Sequence, residues 1–349
     1  MIRSFRNVST MCLLTALTVV GLATAPAPAL AAPAKKLTLK KTPRKPAARS
    51  ATSARSRRAR VARARAALAA RQLKEAQQPQ FKLDALGSLV PDIRAAAGII
   101  YDPLSGEVLW ESNSQNVRSI ASITKAMTAT VFLENAPDLT REVVIERPDV
   151  FRASTTYLHA GDHITTDNLL HLLLIASDNA AARALARVSP QGTAGFIERM
   201  NQKAEELGLD HTYYEDPSGL LAANVSSAYD MARLISYVAK DERISSIMKK
   251  PTYSVPMGRR EINIRSTNQL VRVGDVDVLG GKTGFISKAG YCLATLLQLP
   301  QGGPQVAVVV LGARSNAGRF WETRHLFNWF ASKAQDLIST DLEAAPAVN

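Results

Sequence analysis

Two short apolar-rich runs, 95–101 and 107–111, flank Asp102-Pro103-Leu104-Ser105-Gly106, whose residues favour a turn, and the pattern predicts a β-hairpin. The periodicity then becomes helical. Apolar positions recur at helical spacing over 122–134, and again over 167–175 and 180–188, where Ser177-Asp178-Asn179 interrupts them. Further amphipathic helices are predicted over 193–207 and 227–239, the second opening with capping candidates Ser226 and Ser227. Strand-like runs follow at 276–286, 291–299 and 306–311, the last after the turn Gln301-Gly302-Gly303-Pro304. A final helix over 318–337 carries Phe320, Trp321, Phe327, Trp329 and Phe330. Strands at both ends of a helical middle imply an α+β fold whose antiparallel sheet is completed by both ends of the folded body. There is no internal repeat.

The N-terminus has a different pattern. Arg3 and Arg6 precede an apolar run over 11–25, followed by Pro26, Pro28 and Ala29-Leu30-Ala31. This is the layout of a secretory signal peptide over 1–31, cleaved near Ala31 or Ala32. The apolar run is shorter than the ~20 residues a spanning helix needs. Ser9-Thr10-Met11 before Cys12 does not fit a lipid-attachment site. The exported chain then keeps a single thiol, Cys292, so no intrachain disulfide is available. Cys292 sits in an apolar run and reads as a buried small hydrophobe.

Charge separates what remains. Over the whole chain the formal net charge is +13, yet residues 33–80 hold fifteen Lys or Arg against one acid, Glu75. Residues 81–349 carry 26 basic and 29 acidic residues, so the body is mildly acidic. The stretch 32–80 has almost no large apolar side chains and reads as a mobile basic linker, with good helix formers over 54–78. It is either a solvated spacer or an electrostatic tether to anionic envelope polymers or lipid headgroups. Export makes nucleic acid the least suitable partner. The body is expected over 81–337, with a short flexible tail at 338–349.

Three short motifs carry candidate chemistry. In Ser122-Ile123-Thr124-Lys125 an i,i+3 pair on one helix face brings an ammonium to a hydroxyl. Serine attacks carbonyls only when a base takes its proton, and lysine can be that base only with a depressed pKa. Ser246-Ile247-Met248-Lys249 has the same spacing and reads as a plain helix face. Ser177-Asp178-Asn179 offers a hydroxyl and an amide, or simply a helix cap. Ser114-Gln115-Asn116 and Ser266-Thr267-Asn268 match S-x-N equally well. Lys282-Thr283-Gly284 occurs once, in a strand with Gly280-Gly281 that lets a ligand approach the backbone, or else it is a solvent-facing edge lysine.

Together, in this order and 55 and 105 residues apart, the motifs are the S-x-x-K, S-D-N, K-T-G set of serine penicillin-recognising enzymes. The segments 119–128 and Gly280-Gly281-Lys282-Thr283-Gly284-Phe285, with Asp216-Pro217-Ser218-Gly219-Leu220 and 224–228 between them, resemble the low-molecular-mass penicillin-binding D-alanyl-D-alanine peptidases. The resemblance covers about 85–335. It implies a β-lactamase/DD-peptidase-like fold and a periplasmic enzyme that acts on peptidoglycan muropeptides and is acylated by β-lactams. Ser122 is then the nucleophile, Lys125 its base and Ser177 a proton relay. Asn179, Lys282, Thr283, Gly284 and Phe285 bind substrate, with the Ser122 and Phe285 N–H groups forming an oxyanion hole. No metal or cofactor is implied; His159, His163, His171, His211 and His325 lack zinc-peptidase spacing.

Within that class, a β-lactamase requires a deacylating Glu in an E-x-x-x-N loop, and Glu215 has Gly219 where the Asn belongs. A carboxypeptidase usually carries a further C-terminal β-domain and an amphipathic anchor, whereas here an Ala-rich acidic dozen residues follow the predicted last helix. The resemblance is to type-7 endopeptidases, which cut D-Ala–diaminopimelate crosslinks. A catalytically dead wall-binding module is the alternative of another class, which fluorescent penicillin labelling would expose.

Overall fold

A computed structural model describes residues 50–258 and 260–344. The expected signal peptide at 1–31, the linker over 32–49 and the last residues 345–349 lie outside the described residues.

By internal contacts the chain divides into Met1–Arg58 and Ala59–Asn349. The second half of the basic stretch, where the helix formers concentrate, is helical over Ser50–Gln77 for 28 residues. It contains neither Gly nor Pro, and Ala, Arg, Leu and Gln favour helix strongly enough for a segment of this length. It has no apolar face, and every side chain described in it is exposed.

A small hairpin of Phe81–Leu83 and Leu89–Pro91 follows this helix. Five antiparallel strands form the main sheet, in the order Asp277–Ile286, Gly290–Gln298, Gln305–Ala313, Ala97–Tyr101, Val108–Ser112. The N-terminal hairpin therefore docks onto the C-terminal meander, with Ile99 opposite Val309. Alternate residues feed two cores. Ala97, Ile99, Ala307, Val309 and Leu311 face the helical region. Ile100, Val306, Val308 and Val310 face Phe320, Leu326 and Phe327 of the last helix. A strand buried on both faces reads as a continuous apolar run, which is why 306–311 shows no alternation.

The last helix spans Asn316–Ala344, so the flexible tail expected at 338–349 is helical through Ala344. Ala, Leu, Glu and Gln continue the helix past the last aromatic residues, where the apolar signal fades. The hairpin of Thr252–Met257 and Arg260–Arg265 was not predicted. In its first strand only Val255 and Met257 are buried, and Pro256 between them argues against a strand. Among the described residues no helix is long and apolar enough to cross a membrane.

Candidate active site

Ser122 sits in a single 3-10 turn, Ala121–Ile123, that leads into the helix Thr124–Leu133, all ten of whose residues are buried. Burial on every side explains why this helix shows little amphipathic contrast. Two glycines let other segments close on its first turn. A Cβ at Gly219, whose φ is +78°, would stand 2.1 Å from the Ala121 carbonyl oxygen. One at Gly284 would stand 2.5 Å from the Ile120 oxygen and 3.2 Å from the Ser122 nitrogen. The Asn of a β-lactamase loop therefore has no room at position 219, and Glu215 is exposed.

The loop carrying Gly219 is held by two side chains. Asp216 accepts from the backbone N–H groups of Ser218 at 2.6 Å, Gly219 at 2.8 Å and Leu221 at 2.7 Å. Asn224 accepts from the Glu215 N–H and donates to the Asp216 carbonyl and to Thr124 Oγ1. This frame presents the Ser218 carbonyl to Lys125, whose Nζ lies 2.5 Å from it, 2.7 Å from Asn179 Oδ1 and 3.0 Å from Ser122 Oγ.

Lys125 is fully buried. Burial lowers its pKa to about 7; Asp216 and Asp178 oppose the fall, and Arg183 adds to it. A neutral amine has two N–H bonds and one lone pair. The Ser218 carbonyl and Asn179 Oδ1 accept but cannot donate, so they take the two N–H bonds. The lone pair is left facing the Ser122 hydroxyl.

Ser177-Asp178-Asn179 follows a wide π turn, Leu172–Ala176, and Ser177 itself has φ +61°. The cap role falls to Asp178, whose carboxylate accepts from the Ala181 and Tyr157 N–H groups at 2.9 and 2.7 Å. Burial pushes the Asp178 carboxyl above its usual range. Ser177 and Asn179 remain on the cleft wall.

Lys282 lies on an edge strand yet is only 1% exposed, so it is not a solvent-facing edge residue. Its Nζ donates to Ser177 Oγ at 2.8 Å and to the Thr283 carbonyl at 3.0 Å. Burial drives its pKa well below the usual lysine range, reinforced by the positive charges of Lys125 and Arg319. Thr283 Oγ1 lies 2.6 Å from Thr267 Oγ1. The cleft above these groups encloses about 470 Å³, and Ser122, Ser177, Asn179, Thr283, Gly284 and Phe285 line it. The three motifs thus meet in one place, while Ser246 and Lys249 are exposed on a separate helix face.

Sequence reasoning missed three participants. The Ser218 carbonyl is a backbone group inside one of the segments that carry the resemblance, and the turn chemistry of Asp-Pro-Ser-Gly marks the loop but not its contact with Lys125. Thr267 belongs to a decoy S-x-N match. Arg319 lines the cleft from the last helix and donates to the carbonyls of Gly284 and Cys292 at 2.9 and 3.0 Å. Burial lowers its pKa to about 10. Cys292 is buried, as expected.

Comparison with known proteins agrees with this geometry. The D-alanyl-D-alanine endopeptidase of Haemophilus influenzae is 33% identical over 250 residues, which is 71% of this chain and 86% of that protein. The endopeptidase of Escherichia coli is 30% identical over 68% of this chain and 78% of its own length. A D-alanyl-D-alanine carboxypeptidase of Escherichia coli is also 30% identical, but the chain spans only 63% of it. Among solved structures, a Streptomyces DD-transpeptidase superposes with a TM-score of 0.64 at 27% identity, covering 68% of this chain and 97% of that one. The model of one peptidase family, described as D-alanyl-D-alanine carboxypeptidase, matches residues 84–315, and this chain belongs to that family of serine peptidases.

Proposed function

We propose that this chain is a penicillin-sensitive, periplasmic serine DD-peptidase that cuts D-Ala–diaminopimelate crosslinks in peptidoglycan. The observation that carries the reading is Lys125, a fully buried amine near pKa 7 whose free direction points at Ser122 Oγ. Ser122 Oγ attacks the D-Ala carbonyl as its proton passes to Lys125. The N–H groups of Ser122 and Phe285 receive the developing oxyanion, a contact worth about 10²–10³ in rate per donor. Ser177 hands a proton to the departing amine, and Asn179 holds Lys125 and the substrate amide. Lys282 and Thr283 bind the carboxylate on the leaving side through charge-assisted contacts. Water then enters and releases the acyl group from Ser122.

The endopeptidase preference is supported by the names of the relatives that the chain covers most fully. A carboxypeptidase would use the same acylation, and the family description and several relatives favour it. The experiment is incubation of purified protein with crosslinked muropeptide dimers and with monomeric pentapeptides. Dimers falling to monomer masses support the endopeptidase; loss of one alanine mass from pentapeptides alone overturns it in favour of the carboxypeptidase.

The signal-peptide pattern over 1–31 supports a place outside the inner membrane. The basic stretch 33–80 would hold it electrostatically at anionic envelope surfaces, without nucleic acid. Such retention weakens as the Debye length shrinks from ~30 Å at 0.01 M salt to ~10 Å at 0.1 M. Cosedimentation with isolated sacculi across a salt series tests this. Salt-insensitive retention, or equal retention of chains with and without 33–80, overturns it.

A further inference from the structure

Past Ser154 and Leu220, which line both, the catalytic cleft continues into a second concavity of about 830 Å³. Its walls mix apolar and cationic groups in an unusual way. Phe151 and Leu221 are 65% and 46% exposed, and Arg147, Arg152 and Arg183 surround them. Among the described residues no carboxylate pairs with any of these three arginines. The nearby acids are committed to another residue, since Glu146 and Asp149 bind Arg187 at 2.8 and 2.7 Å. Arg183 spends Nη1 on the carbonyls of Asp149 and Phe151. Arg152 lies over the Phe151 ring at 5.2 Å. Three unneutralised guanidinium groups around exposed apolar side chains favour an occupant that is anionic along an aliphatic backbone.

The wall is fixed to the catalytic motif. Asn179 donates from Nδ2 to the Ala153 carbonyl at 2.6 Å and from its backbone N–H to the Thr155 carbonyl at 2.9 Å. Asp178 accepts from Tyr157 at 2.7 Å. Arg152 and Ser154 have φ of +50° and +53°, a left-handed backbone that side chains disfavour and that these bonds sustain. The groove is therefore positioned by the same two residues that position Lys125 and the Asn179–Val188 helix.

Its direction follows from the cleft. Thr283 of the edge strand lines one side of the cleft, with Arg319 of the last helix beside it, and the proposed mechanism places the carboxylate of the leaving half there. The acyl half of the substrate must then extend the other way, toward Ser154 and Leu220. We infer that the groove binds the acyl-donor stem peptide, with Arg147 and Arg152 engaging its free D-glutamyl and diaminopimelyl carboxylates while Phe151 and Leu221 cover its aliphatic chain. This rests on the DD-peptidase reading above and names what that site recognises upstream of the scissile bond.

The test compares stem peptides carrying free carboxylates with the same peptides amidated at one or both positions. For the double variant Arg147→Gln/Arg152→Gln, KM on the free-acid dimer should rise about fivefold to tenfold, the scale of one or two charge-assisted contacts at a partly exposed site, with kcat little changed. On the doubly amidated dimer the variant and the natural enzyme should have the same KM. Amidation at one position that alone reproduces the loss identifies the carboxylate. Equal KM values on the free-acid substrate, or the same loss on the amidated one, overturn the inference. The groove can also be read without turnover, by equilibrium binding of both peptide forms to Ser122→Ala protein. Tighter binding of the free acid, lost in the Arg147→Gln/Arg152→Gln background, supports the groove, and equal binding contradicts it. An enzyme that penicillin labels but that cleaves neither dimers nor pentapeptides would refute the proposed function while leaving this binding result to stand or fall separately.

Discussion

Two lysines are buried beneath the same cleft, one on a helix and one on a strand, each within 3.0 Å of a serine hydroxyl, and their surroundings have opposite character. Lys125 faces a carbonyl and an amide oxygen, with Asp216 and Asp178 near enough to raise its pKa against the effect of burial. Lys282 has no carboxylate acting on it; the charges it feels are those of Lys125 and Arg319. The first environment balances protonation near neutrality, which suits a general base. The second disfavours a cation until an anion arrives, which suits a residue whose counter-ion is the substrate. The proposed mechanism gives one side chain type two jobs, and the charged side chains around each lysine set the difference.

The most severe way to break this comparison is to remove the group that Lys125 serves. Ser122→Ala should abolish covalent penicillin labelling with no change in thermal unfolding, as read by gel fluorescence and calorimetry. Labelling that persists at Ser246 would contradict the assignment. Next is Lys125→Arg, which keeps a cation in place but offers no neutral form near neutral pH. Acylation should fall about 10²–10⁴-fold, the range of general-base contributions, in stopped-flow measurements.

A smaller effect is expected on the other side. Lys282→Gln should lower kcat/KM for substrates with a free leaving-side carboxylate about 10–100-fold, the worth of a hydrogen bond to a charged group. The methyl ester of the same peptide should lose much less. Equal losses on acid and ester would show that Lys282 acts only through Ser177. The mildest change sharpens the electrostatics. Because the pKa of Lys125 is lowered to about 7, the base is free above pH 7 and acylation should rise as pH increases through that value. The Asp216 carboxylate favours the ammonium, so Asp216→Asn should move the midpoint of the profile to lower pH.

Much of this was legible in the chain. The hairpin at 95–111, the meander at 276–311 and all three motifs follow from periodicity and turn chemistry, and the motif residues do meet in one cleft. What stayed hidden is backbone. Ala121, Arg152, Ser154 and Ser177 all adopt left-handed φ around the site, and none is a glycine that would have announced it. Tertiary hydrogen bonds impose these conformations, and local propensity argues against them. The Ser218 carbonyl and the Arg319 guanidinium reach the cleft from 93 and 35 residues away from their partners, a separation no local pattern encodes. The helix Ser50–Gln77 was legible only through its helix formers over 54–78: composition without an apolar face signals mobility, while propensity alone suffices for helix.

The difference between the two lysines can be observed directly by nitrogen NMR of protein carrying ¹⁵N at the lysine side chains, with Lys125→Arg and Lys282→Gln assigning the two buried signals. The account predicts that the Lys125 signal titrates near pH 7 in the free enzyme. A Lys125 signal that remains that of an ammonium to pH 9 would contradict it.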